Sequence, residues 1–255
     1  MGNCDPARIG WHSSICCERA ARRSAKKIGV PYVETNGVHN VTSGAAHFGD
    51  LFFCDMLAGI CDFRSGVRVL DFGCSSGRVI RNLKAALPDI QAFGCNPGAS
   101  SIDLIAPLVP DVRFFTSNQA PPIAESDFSF DMVSAISVWS HFSEQRALDS
   151  FAEMARIIVP GGRLIFSTDG MRSVHHFSQV KKSMPDDKAQ ERLAALRTGQ
   201  FHFKRYGATD LDSHWGMAFI PREWPAQKLS ADWTVEAFYP GLATANQDVC
   251  VLARR

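Results

Sequence analysis

The chain has almost no net charge. Its 27 lysines and arginines against 26 acids leave a formal +1 over 255 residues, so no global field grips a polyanion or an anionic lipid face. No apolar run approaches the roughly 18 residues that span a bilayer, and the N-terminus lacks the apolar core of a secretory signal. A cytoplasmic protein without a membrane partner is expected. No Cys-x-x-Cys pair occurs among Cys4, Cys16, Cys17, Cys54, Cys61, Cys74, Cys95 and Cys250. Several of these sit in apolar patterns, where a thiol acts as a small hydrophobe. Reduced, mostly buried cysteines and no metal site are expected. His175, His176, His202 and His214 likewise show no His-x-x-x-His spacing. Internal repeats and low-complexity tracts are missing too.

What is present suits one α/β domain with an elaborated loop, since 45% of residues are hydrophobic and 21% charged. Residues 1–47 read as a polar arm. Arg19, Arg22, Arg23, Lys26 and Lys27 recur there at helical spacing, the pattern of a solvated basic face. From Phe48 to Phe63 an apolar helical face follows. Beyond it, strand and helix patterns alternate. Strands are predicted at 90–95, 112–116, 131–138 and 163–168, and helices at 100–108 and 143–158. Such repeats imply a parallel sheet with right-handed crossovers and helices on both faces. Residues 234–239 and 248–253 flank a loop with Gly241 and read as a hairpin, so the last strand should run antiparallel.

The run Val67-Arg68-Val69-Leu70-Asp71-Phe72-Gly73-Cys74-Ser75-Ser76-Gly77-Arg78 is the most informative stretch. Strand, glycine turn and helix is the layout in which backbone N–H groups and a carboxylate meet a nucleotide-like ligand. The run resembles motif I of the class I S-adenosylmethionine-dependent methyltransferases, Asp-x-Gly-x-Gly-x-Gly, with Ser75 in place of the middle glycine. The resemblance covers about 190 residues, from Val67 onward, and rests on four further segments. It implies a three-layer Rossmann-like sandwich with a mostly parallel seven-stranded sheet and an antiparallel last strand.

Phe93-Gly94-Cys95-Asn96-Pro97 ends the second strand, where the family uses an acid to accept both ribose hydroxyls of the cofactor. Asn96 departs from that pattern. An amide accepts from one hydroxyl and donates to the other, at an expected loss of about 1 kcal/mol. Thr116-Ser117-Asn118-Gln119 follows strand three, and the resemblance assigns adenine recognition to Asn118 and Gln119. Residues 129–142, from Ser129 through Phe130-Asp131-Met132-Val133 to Ser137-Val138-Trp139-Ser140-His141-Phe142, resemble the family's Phe-Asp-x-Val … Ser-Val-Phe-x-His-Leu. They imply cofactor contacts from Ser137 and Val138 and acceptor contacts from Trp139 and His141. Imidazole titrates near neutrality, so His141 is the candidate base for an acceptor hydroxyl, the alternatives being a helix cap or a pocket wall. Pro160-Gly161-Gly162 matches the family's turn before strand five, which stops a helix.

The implied cofactor is S-adenosylmethionine, contacted by Asp71, Gly73, Cys74, Ser75, Gly77, Asn96, Pro97, Asn118, Gln119, Ser137 and Val138. Acceptor contacts are expected from Trp139 and His141 and from a histidine- and aromatic-rich lid at about 170–225, with His175, His214 and Trp215 as candidates. The lid equally suits a segment that needs a small core of its own. A small or sugar-linked acceptor methylated on oxygen or nitrogen fits best. Binding without turnover is the alternative, motivated by Asn96 and Ser75. A nicotinamide-dependent oxidoreductase is disfavoured, since no Gly-x-Gly-x-x-Gly follows the first strand. Balanced charge and the absence of an Asn/Asp-Pro-Pro-aromatic motif argue against a nucleic-acid acceptor.

Overall fold

The structure, a computed structural model, describes residues 48–61, 63–207 and 213–255. The basic residues of the arm at 1–47 lie outside it. The chain divides into two compact units, one ending at Asn118 and the other spanning Gln119–Arg255.

In the first unit, α1 (Phe48–Ile60) buries Phe53, Cys54, Met56, Leu57 and Ile60. It packs on α2 (Arg78–Ala86), where the Cys54 thiol donates to the Val79 carbonyl. Strand β1 (Arg68–Phe72) pairs in parallel with β2 (Gln91–Asn96), and β2 with β3 (Val112–Thr116). Val69 and Leu70 are fully buried, each stabilising the fold by roughly 1.5–3 kcal/mol. Helix α3 (Ala99–Ile105) runs on into a short 3₁₀ turn, Ala106–Leu108, ahead of β3.

In the second unit, β4 (Phe130–Ala135) pairs in parallel with β5 (Ile158–Thr168). Helix α4 (Glu144–Ile157) joins them, its first turn capped by Ser143, whose hydroxyl accepts from the Arg146 amide. The expected turn at Pro160-Gly161-Gly162 lies inside β5 as a bulge. The pairing register jumps between Phe130 and Met132, and a Cβ at Gly162 would sit 2.7 Å from the Asp131 carbonyl. Four residues of β5, Val159 to Gly162, thus face Asp131 alone on β4, and the helix ends directly in sheet.

The lid follows. It comprises α5 (Met171–His175), a π-helical turn (His176–Val180), α6 (Asp186–Arg197), an antiparallel pair β6 (His202–Arg205) and β7 (Gly216–Phe219), and α7 (Trp224–Lys228). Val174, Met184, Ala189, Leu196 and Phe219 bury one another there, with Phe177, Leu193 and Met217 against them. This segment therefore has its own core, which Phe177 and Phe219 serve. The β6–β7 pair has no counterpart in the sequence reading.

Strand β9 (Asp248–Arg254) runs antiparallel to both β5 and β8 (Trp233–Tyr239). The seven strands follow the order β3-β2-β1-β4-β5-β9-β8. This is the expected α/β architecture, mostly parallel with its last strand reversed.

Candidate functional site

The first unit carries the glycine turn. Gly73 at φ 76°, Ser75 at 49° and Gly77 at 66° are all left-handed. Gly77 is needed twice over, because a Cβ there would also meet the Phe114 ring at 2.8 Å. The Gly73 and Cys74 amides both donate to the Cys95 carbonyl at 2.9 Å, tying the turn to the end of β2. The Ser75 and Ser76 amides make no backbone hydrogen bond, which leaves two donors for an anionic or polar ligand group. Ser76 is buried and its hydroxyl has no partner. Sequence reading passed over it, although it sits inside the motif.

Asp71 is buried at the end of β1, in register with Gly94. The Cys74 thiol is held well above its usual range, first by burial and then by the Asp71 carboxylate, so it is an inert wall of the turn. Partly exposed Asn96 lies over Gly98, where a Cβ would come within 3.0 Å of its amide nitrogen. Pro97 and Asn118 are exposed, and Ser117 between the strand and Asn118 is buried with an unpartnered hydroxyl. Glycine turn, orphan hydroxyls and an amide at the end of β2 together match what a polar adenosyl ligand requires.

The second unit carries the remaining candidates. Ser137 follows β4 at φ 62°, a left-handed conformation that a hydrogen-bond ring holds in place. Its amide donates to Ser167 Oγ at 2.8 Å, Ser167 donates to Gln247 Oε1 at 2.7 Å, and Gln247 Nε2 donates to Ser137 Oγ at 2.9 Å. Ser167 and Gln247 are buried, so these bonds form away from competing water. Val138 is buried beside Ser137, and Gln119 is exposed, its carbonyl accepting from Arg146.

Trp139 departs from expectation. It has 0% exposure, its ring stacks on Phe151 at 4.7 Å, and it offers no face to a ligand. Large and apolar, it completes the core beneath the strand end instead of lining a pocket. His141, by contrast, meets the lid. Its ring stacks on Trp215 at 4.9 Å, and its Nδ1 lies 3.0 Å from the Tyr206 hydroxyl and 3.1 Å from the Gly216 carbonyl. A carbonyl only accepts, so Nδ1 carries the proton and Nε2 keeps its lone pair. Burial lowers the His141 pKa below its ordinary value, although the Gly216 carbonyl pulls the other way. The imidazole is therefore neutral at pH 7 with Nε2 as the basic atom.

His214 lies 2.7 Å from the Ser143 hydroxyl and supports the cap of α4. His175 is exposed on α5 and meets neither His141 nor Trp215. Of the expected acceptor contacts, the structure thus joins His141 and Trp215, and adds Tyr206. It also places Asp169 at the end of β5, buried and raised to about 7. Burial is the main cause and Asp248 adds to it, while Ser173 and Gln247 hold it down. Burial, then Asp169, raises the Tyr206 hydroxyl. The signal for Asp169 was its position, since ligands gather at the carboxyl ends of parallel strands.

Residues 69–162 match the family model described as a methyltransferase domain. The probable tRNA methyltransferase 9B of Bos taurus is 29% identical over 169 residues, covering 62% of this chain and 34% of that protein. The chain thus spans about a third of the length of the relatives it matches. The PH0226 protein of Pyrococcus horikoshii OT3 superposes with a TM-score of 0.53 at 17% identity, over 75% of this chain and 83% of that one. A SAM-dependent methyltransferase from Methanosarcina mazei gives 0.51 at 16%, over 75% and 94%. At such identities these two structures speak for the fold.

Proposed function

We propose that this chain, whose residues 69–162 match a methyltransferase-domain model, is a class I S-adenosylmethionine-dependent methyltransferase that methylates an oxygen or nitrogen of a small or sugar-linked acceptor with His141 as the proton acceptor. The observation that carries the role is the Gly216 carbonyl 3.1 Å from His141 Nδ1, which leaves Nε2 as a free base. Bound S-adenosylmethionine supplies an activated methyl group on a sulfonium, so the protein need only align, desolvate and deprotonate.

Asp71, Gly73, Cys74, Ser75, Gly77, Asn96, Pro97 and Asn118, with Gln119, Ser137 and Val138, would hold the cofactor. The Ser75 and Ser76 amides suit its carboxylate, and Asn96 suits its ribose. Trp215 stacks against the imidazole and fixes its plane, and the Tyr206 hydroxyl accepts from Nδ1 beside Gly216. His141 Nε2 would take the proton of an acceptor hydroxyl, and the bound cofactor would supply the methyl group. A base of this kind contributes roughly 10²–10⁴-fold.

A second reading makes the acceptor RNA. It is supported by the 29% identity to a probable tRNA methyltransferase, while the balanced charge weighs against it. Incubation with methyl-labelled cofactor, sugar-bearing metabolites and total tRNA tests both. Label transfer to a small acceptor, reduced a hundredfold or more in His141→Gln, supports the first reading. Label confined to tRNA moves the conclusion to the second. Transfer undiminished in His141→Gln removes the base assignment.

A further inference from the structure

A cavity of about 170 Å³ opens in the second unit beside the end of β5. Arg172, Arg222, Asp248 and Glu223 line it together with apolar Ile220 and Phe238. None of these residues belongs to the cofactor or base set above.

Two glycines make room for the charges. Gly170 has an extended φ that any residue adopts, yet a Cβ there would collide with Asp248 Oδ2. What it provides is space for the carboxylate. A Cβ at Gly241 would collide with the Arg172 side chain, and this glycine is also left-handed at φ 65°. The Arg172 stem therefore lies against bare backbone. The Arg222 guanidinium sits 5.4 Å from the centre of the Phe238 ring, which fixes its plane.

Asp248 is 6% exposed and accepts one hydrogen bond, from the Gly241 amide at 2.7 Å. Both arginines lie close enough to act on its charge, yet neither forms an ion pair with it. The pocket thus holds two guanidiniums with open donors and a carboxylate with open acceptor capacity. Its lining carries no net charge, since Asp248 and Glu223 balance the arginines. A bare anion gains little there, because the carboxylates oppose it. A ligand with an oxyanion for the guanidiniums and hydroxyls for Asp248 satisfies both sets. The volume lies below the roughly 300–1,000 Å³ that holds drug-sized ligands, which limits the occupant to one compact group on an apolar floor.

We infer that the cavity formed by Arg172, Arg222 and Asp248 binds a sugar phosphate, its phosphate on the arginines and a sugar hydroxyl on Asp248. Its role as an acceptor subsite rests on the methyl-transfer reading; the binding itself does not. Such a unit comes either free or within an RNA chain.

Calorimetric titration of the full chain with ribose 5-phosphate, inorganic phosphate and a tetraribonucleotide tests this, with S-adenosylhomocysteine titrated in parallel. Ribose 5-phosphate or the tetranucleotide should saturate, with at least tenfold weaker binding in Arg172→Gln and in Arg222→Gln. Both arginines are exposed, so these variants keep the fold. Asp248→Asn should weaken ribose 5-phosphate and leave inorganic phosphate equally or more tightly bound, since it removes an opposing charge, and the affinity for S-adenosylhomocysteine should change less than twofold in all variants. Tighter binding of the tetranucleotide identifies RNA as the source, and tighter binding of ribose 5-phosphate identifies a free metabolite. No saturation with either by folded protein overturns the inference, as does binding that both arginine variants leave intact. Sugar-phosphate binding without S-adenosylhomocysteine binding would sink the methyl-transfer reading and leave the pocket standing.

Discussion

In the proposed reaction, His141 is the residue on which the proton transfer depends. Its neighbours fix the tautomer and its burial keeps it neutral, so catalysis should rise with pH along a limb whose midpoint lies below 6.5. His141→Gln should lower kcat by roughly 10²–10⁴ and flatten that limb, with KM for the cofactor unchanged. Tyr206→Phe should lower kcat less than about tenfold, because Nδ1 keeps the Gly216 carbonyl. Steady-state rates from pH 5 to 8 check both.

Asp169 makes a separate prediction about stability. Its carboxyl is raised from 3.8 to about 7, so the fold prefers it protonated and is penalised increasingly as pH climbs across that window. Asp169→Asn removes the penalty. The variant should match the parent near pH 4 and exceed it at pH 8 by up to roughly 4 kcal/mol. Urea unfolding at the two pH values reads the difference, and equal gains at both would refute the sign.

At the scale of elements, two joints hold the second unit's strand ends. The Ser137, Ser167 and Gln247 ring connects the ends of β4 and β5 to the start of β9. Gln247→Ala should cost about 1–3 kcal/mol by stranding buried partners, and should weaken cofactor binding by loosening the left-handed Ser137 turn. Glu153 anchors the segment before β4. It accepts from the Ile123 amide and from Arg156, which also reaches Asp127. Despite burial, these bonds hold its carboxyl below the usual range. Its stabilisation is therefore complete above the ordinary carboxylate pKa and lost as pH falls through the folded value. Glu153→Ala leaves Arg156 without its main partner and should cost roughly 3 kcal/mol at pH 7 in chemical denaturation.

These joints also mark where sequence reading stops. The turn after β1, helix α4 and the reversed β9 were legible because each signal is local: two glycines after a strand pattern, apolar residues at helical spacing, a hairpin. Trp139 was misread because family spacing gave its position without its burial. His141, Tyr206 and Gly216 lie up to 75 residues apart, and Ser137 and Gln247 are separated by 110. No periodicity encodes such pairs. Arg172, Arg222 and Asp248 were silent for the same reason, and Gly170 gave no hint that its missing Cβ serves a carboxylate.

For the whole molecule, cofactor binding should show as thermal stabilisation. A ligand that binds only the folded chain stabilises it by about 2.7 kcal/mol at a hundred times its Kd. For a chain of this length that raises Tm by roughly 5–10 °C. S-adenosylhomocysteine should produce that shift and reduced nicotinamide should not.

The most direct measurement is calorimetric titration of the purified chain with S-adenosylhomocysteine, beside an Asp71→Asn variant whose melting shows that it folds. Saturable one-to-one binding in the micromolar range, weakened tenfold or more by the substitution, is the outcome expected of a methyltransferase whose cofactor sits at the turn after β1. Folded protein that takes up no S-adenosylhomocysteine, or binds it equally well with Asn at position 71, would contradict that assignment.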